Sequence, residues 1–263
     1  MTKIAVFAGH GGSDPGAVSG SLREKDFTLA VALKVSDILR TAGYAIVNNR
    51  TTDINRSINA DAIRANAANV SAVLDIHLNA GGGTGTEVFH SIVGGTGRTL
   101  ATAIVNNIAA LGFRNRGAKT KRNNRGTDFF GIIRQTRAPA VLIETAFIDN
   151  AADMARFNSD QMARAIADGV MQVLPIGGAA PTPSRPTPAN PHPEPTTNIR
   201  RGHRGDGVRW VQQALLNRGF SVGRHGVDGI FGPDTDAGVR AFQRDRRLVV
   251  DGIVGPITRG ALR

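Results

Sequence analysis

The sequence predicts an α/β fold in two parts: a three-layer α/β/α domain with a mostly parallel central sheet over residues 1–176, and a small all-α, three-helix domain over residues 199–263. Three observations predict it. Apolar, β-favouring runs alternate with segments of helical period through the first part, a pattern that builds a sheet covered by helices. Seven of the twelve prolines then crowd into residues 177–198, a density that excludes helix and central strand and favours an extended linker. Beyond it, V-D-G-I-x-G-P-x-T occurs twice, from Val227 and from Val250, and each copy sets Gly-Pro where a helix can begin.

The elements follow in order. Ile4 to Phe7 reads as a buried strand that breaks into Gly9-His10-Gly11-Gly12. Lys25 to Ala42 carries Phe27, Leu29, Leu33, Ile38 and Leu39 at helical spacing and is closed by Gly43. Ala45 to Val47 predicts a strand, Ile58 to Ala68 a helix, Ser71 to His77 a buried strand and Thr86 to Ile92 another. Gly97 to Leu111 predicts a helix, Ile132-Ile133 a short strand, Ala140 to Glu144 the last strand, and Ser159 to Val173 the closing helix. In the second part, Gly205 to Phe220 is amphipathic through Val208, Val211, Leu215 and Leu216.

Composition narrows the chemistry. With no cysteine among 263 residues, disulfides, thiol nucleophiles and cysteine-based metal sites are excluded, and a metal must rest on His, Asp and Glu. The net charge is +11, of which residues 199–263 contribute +6 from 12 basic and 6 acidic side chains. Such a bias suits a polyanion: nucleic acid, anionic lipid or an anionic cell wall. No zinc-finger spacing or aromatic RNA-binding signature supports nucleic acid, and no stretch is long and apolar enough to span a membrane. The first residues enter a strand directly, so no secretory leader is expected.

Polar residues gather at strand ends. His10 follows IAVFAG, His77 follows SAVLDI and Glu144 ends AVLI, so three strands deliver them to the carboxyl edge of a sheet, where open α/β folds bind ligands. Glu24 opens the first long helix just after the His10 loop, where it can also serve the helix dipole. Two histidines and a carboxylate form a catalytic zinc set with a position left for water, and a second carboxylate beside that water can move its proton.

With GHGGSDPGA at 9–17, Glu24 in REKDF, RTTD at 50–53, RAN at 64–66, DIHLNA at 75–80, RGAK at 116–119 and PAVLIETAFIDN at 139–150, residues 3 to about 174 resemble the zinc-dependent N-acetylmuramoyl-L-alanine amidases of phage endolysins and bacterial autolysins. The resemblance implies that His10, Glu24 and His77 hold Zn2+ and that Glu144 is the catalytic carboxylate. It also implies a peptidoglycan substrate cut between N-acetylmuramic acid and the first L-alanine of the stem peptide. A zinc peptidase acting within the stem peptide is the rival activity, and a wall-binding protein without activity the rival class. Residues 203–262 resemble the three-helix peptidoglycan-binding domains, with Trp210, Phe220 and Phe231 as candidates for the binding face.

The expected partners are peptidoglycan, bound by both domains, and anionic wall polymers, with no nucleic acid and no membrane, by a monomer. An enzyme made in the cytoplasm without a signal peptide and acting on the wall after release, as an endolysin does, fits this reading; a host autolysin or spore-wall amidase is the alternative. The run Arg114 to Arg125 reads most simply as a solvated loop, and otherwise as a holder of stem-peptide carboxylates or wall polyanions. Asp14 is expected to fix the His10 loop, Asn79 the His77 turn, and His90 to be structural.

Overall fold

Lys3–Ala8 (β1) is apolar on both sides because it runs through the middle of a sheet, and five of its six residues are buried. A computed structural model describes residues 1–176, 190–218, 220–223, 225–246 and 248–262. These fall into two compact units, the first over 1–92 and 97–176, the second over 93–96 and 190–262.

In the first unit, β1 is followed by a small hairpin, Val18–Ser19 (β2) and Leu22–Arg23 (β3), and then by Glu24–Thr41 (α1), Ala45–Asn48 (β4), Ile58–Ala67 (α2), Ala72–Asn79 (β5), Thr86–His90 (β6) and Thr96–Ala109 (α3). Asn115–Lys119 (β7), Gly131–Gln135 (α4), Ala140–Phe147 (β8), Ala151–Arg156 (α5) and Ser159–Val173 (α6) complete it. The sheet order is β4-β1-β5-β8-β6-β7. β4, β1, β5 and β8 are parallel, while β6 runs antiparallel to β8 and parallel to β7.

Alternation along the strands sorts side chains to two faces. Ile4, Val6, Leu74, Ile76, Val141 and Ile143 meet α1, α3 and α6 through Val35, Leu39, Ile104 and Ile166. Ala5, Phe7, Val73 and Leu142 meet α2 and α4 through Ala62, Ala65, Ile132 and Ile133. This is the three-layer arrangement the sequence predicts. It differs at Ile132-Ile133, which lies in the short helix α4 rather than a strand; a two-residue apolar run carries no period that separates strand from helix. The basic run differs in part: Asn115–Lys119 is the edge strand β7, while residues 120–125 form the largely exposed loop the sequence predicts.

The second unit packs Asp206–Asn217 (α7), Pro233–Asp245 (α8) and Pro256–Leu262 (α9) around Val211, Leu215, Phe242 and Val254. Trp210, Phe220 and Phe231 are 5%, 3% and 1% exposed. They are core, not a binding face, because a helical unit this small needs its largest apolar groups inside. The repeat has a common mechanism. Gln212 Nε2 donates to Asp228 Oδ1, Ile230 O and Thr235 Oγ1 while its Oε1 accepts Gly229 N. Gln243 does the same for Asp251, Ile253, Thr258 and Gly252. Each buried glutamine thus satisfies one V-D-G-I turn and its following threonine.

Of the predicted linker, residues 177–189 lie outside the described residues. Residues 190–198 pack on the second unit instead of standing free: Asn190 Nδ2 donates to Trp210 O and Arg259 Nη1 to Thr197 O. Among the described residues no helix is long and apolar enough to cross a membrane.

Candidate metal centre

The loop after β1 turns so sharply that His10 itself adopts φ +59°, a left-handed conformation costly for a residue with a Cβ. Surrounding groups hold it there. Arg50, buried, donates to Gly9 O and Lys25 O, and Thr28 Oγ1 donates to Gly9 O at 2.7 Å. Lys25 ties Gly12 O to Asp53, and Asn55 Oδ1 accepts from Ser13. Gly9 is obligatory for space: a Cβ there would meet the His77 ring. At Gly16 it would lie 2.6 Å from Glu24 Oε2.

Glu24, first residue of α1, is turned away from capping its own helix. Its Oε2 accepts Ala17 N and lies 3.2 Å from His10 Nε2. Its Oε1 accepts Leu78 N and lies 2.9 Å from His77 Nδ1. The second nitrogen of each histidine faces an aspartate. His10 Nδ1 is 2.8 Å from Asp14 Oδ2, as expected for a residue fixing that loop, and His77 Nε2 is 3.4 Å from Asp75 Oδ2. The two rings meet edge to face, 5.0 Å between centroids.

Behind His77 lies a buried ion cluster that sequence reasoning missed. Arg56 Nε donates to Asp61 Oδ2 at 2.7 Å, its Nη2 stands 2.7 Å from Asp75 Oδ1 as a contact ion pair, and its Nη1 reaches His77 Nε2 at 3.2 Å. A signal was present. Asp75 sits two places before His77 in an apolar strand, hence on the same face, and a buried aspartate requires a cation.

Glu144 stands beside His77 on the neighbouring strand, and Glu87 beside Glu144 on the next, so the three form one row across β5, β8 and β6. Glu144 Oε2 is buried and, among the described residues, has no hydrogen-bond partner. Glu87 is saturated by Asn79 Nδ2 at 2.9 Å, Arg116 Nε at 2.6 Å and Lys119 Nζ at 2.5 Å. Asn79 also caps its own turn through Ala80 N. His90 is buried with Nδ1 at 2.8 Å from Ser91 O, remote in role from this row. Arg64 and Asn66 of the RAN stretch are elsewhere; Asn66 joins α2 to Gln135 and Arg137.

Charge follows this geometry. Burial opposes the charge on Glu24, yet hydrogen bonds from His10 and His77 outweigh it and hold the carboxyl far below the usual range. Burial likewise opposes a charged His77, but Asp75 and Glu24 push it up to about 10. Asp75, against its own burial, is drawn down to about 2 by Arg56 and His77. For Glu144 burial wins and pushes the carboxyl up to about 7, since His77 only partly offsets it.

His10, Glu24 and His77 each offer a donor atom, all within 4.8 Å of one another. The donor set fits a metal. Two imidazoles and a carboxylate suit zinc, and histidines whose other nitrogen is engaged by a carboxylate are the usual support of such ligands.

Residues 4–174 match the family described as N-acetylmuramoyl-L-alanine amidase, and residues 204–262 one described as putative peptidoglycan binding domain. The chain is 36% identical over 173 residues to the sporulation-specific N-acetylmuramoyl-L-alanine amidase of Bacillus subtilis (strain 168), across 64% of this chain and 65% of that protein. It therefore spans just under two thirds of that relative. It is 33% identical over 200 residues to the endolysin of Bacillus phage SPP1, across 69% of this chain and 71% of the endolysin. Among solved structures, an N-acetylmuramoyl-L-alanine amidase from Clostridium difficile 630 superimposes with a TM-score of 0.61 at 28% identity, covering 67% of this chain and 98% of the other.

Proposed function

The chain belongs to the N-acetylmuramoyl-L-alanine amidase family, and from that premise we propose that it hydrolyses the amide between N-acetylmuramic acid and L-alanine in peptidoglycan. The observation that carries this reading is the juxtaposition of a three-donor cluster with Glu144, whose buried Oε2 has no partner among the described residues. His10, Glu24 and His77 would hold Zn2+. When bound, the ion supplies Lewis acidity, polarising the amide carbonyl and lowering the pKa of water toward 7.

The protein's own groups do the rest. Glu144, with a carboxyl near 7, takes a proton from the attacking water and returns it to the departing L-alanine amine, the work a base matched to neutral pH does best. Asp14 and Asp75 fix the ring orientation of His10 and His77. Arg56 compensates Asp75 and Asp61, so that this charge can stay buried.

The second unit is read as the holder of the same polymer. Tethering it to the catalytic unit raises the local concentration of scissile bonds. We read the enzyme as a monomer, which agrees with every proposed ligand and the proposed base coming from one chain. Similarity to an endolysin over most of that protein's length supports release onto the wall at lysis.

The test is digestion of purified peptidoglycan by the zinc-loaded protein, with new ends identified by mass spectrometry and amino-terminal labelling. New L-alanine amino termini on intact glycan are expected. Cuts within the stem peptide would move it to the peptidases.

A further inference from the structure

The cluster around Glu87 carries more positive charge than that carboxylate consumes. Arg116 and Lys119 both bind the single oxygen Glu87 Oε2, and Asn79 occupies the other oxygen. The cluster therefore keeps one net positive charge. Glu87 is buried, whereas the side chains of Arg116 and Lys119 are 28% and 36% exposed. Arg116 spends only Nε on Glu87, and among the described residues neither of its terminal nitrogens makes a hydrogen bond. Its guanidinium is held over the Phe147 ring, 4.9 Å from the centroid, so it is positioned before any ligand arrives.

The place of this charge gives it meaning. Glu87 is the direct cross-strand neighbour of Glu144, which puts the two a single strand spacing apart. A planar, preset guanidinium beside an ammonium is a receptor for a carboxylate.

We propose that Arg116 and Lys119 form an anion subsite that binds a free carboxylate of the stem peptide next to the scissile amide, and so makes the enzyme selective for stems whose second residue carries carboxylate rather than carboxamide. Glu87 and Asn79 are positioning residues: they hold the two cations at the rim without neutralising both. This inference rests on the amidase reading, and takes the stem peptide to lie along the row from His77 to Glu87 when its first amide reaches Glu144.

The experiment compares two synthetic muramoyl peptides, identical except for carboxylate or carboxamide at the second residue, as substrates of the zinc-loaded full chain and of Arg116→Gln and Lys119→Gln. Each change leaves Glu87 its other cation, and thermal melts report whether each variant is folded. The wild type is expected to favour the carboxylate peptide about tenfold or more in kcat/KM, the size of one charge-assisted contact. Both variants should level that ratio chiefly through KM, and Arg116→Lys should restore part of it. Equal cleavage of the two peptides by the wild type overturns the subsite, as does a ratio that survives in both folded variants. Cleavage of neither peptide at the muramoyl amide overturns the amidase reading and the subsite with it. That result is distinct from efficient cleavage without preference.

Discussion

Glu87 and Glu144 face each other across the antiparallel pair β6 and β8, yet among the described residues one carboxylate takes three donors and the other keeps a buried oxygen with none. Like charges directly opposed repel. Arg116 and Lys119 remove that repulsion on the Glu87 side and leave Glu144 as the group free to exchange a proton.

Replacing Glu144 by Gln should preserve the metal and lower kcat by about 10²- to 10⁴-fold, the span of general acid–base catalysis. His77→Ala should lose both. Zinc analysis beside a wall-lysis assay separates the two, and full lysis by the Gln variant would sink the role given to Glu144.

Activity should fall toward acid because the base must be ionised. A carboxyl near 7 is increasingly protonated below that value, so the rate drops up to tenfold per pH unit on the acid side. A bound dication favours the carboxylate and shifts this limb lower. The kcat profile of the wild type should show the limb and the residual activity of Glu144→Gln should not.

Zinc binding should release about one proton near pH 7.5. His77, raised to about 10, is charged there and must lose its proton to coordinate, so affinity rises with pH up to that value. Calorimetry in two buffers of different ionisation enthalpy counts the protons. A count of zero would show that His77 is already neutral before the metal binds.

Arg56→Ala strands the buried carboxylates of Asp61 and Asp75 and should destabilise the first unit by about 3–5 kcal/mol. Urea unfolding followed by circular dichroism measures it. Zinc affinity should weaken as well, because Asp75 loses the partner that keeps it aligned on His77.

Gln212→Leu removes the common partner of Asp228, Gly229 and Thr235 and should cost the second unit about 1–3 kcal/mol or more. Trp210, the only tryptophan in the chain and buried in that unit, reports its unfolding by fluorescence. Gln243→Leu should behave alike, as the second copy of the same device.

Much of the molecule was legible from local pattern. Strand and helix alternation, the proline-rich break and the doubled V-D-G-I turn are properties of short windows, and so is the delivery of His10, His77 and Glu144 to strand ends. The period of an apolar run decides which way its side chains point before any neighbour is known. What local pattern left open was partnership. The sequence alone could not tell Glu24 as helix cap from Glu24 as neighbour of both histidines, because that depends on Leu78 N and His77 arriving 53 and more residues later. Arg56, Asp75 and Glu87 escaped notice for the same reason, since a buried charge has meaning only beside the group that compensates it. The aromatic residues of the second unit suit a ligand face by residue type alone, but packing buries them in its core. Chain order specified which groups reach the rim of the sheet; the stacking of β5, β8, β6 and β7 decided which of them stand within bonding distance.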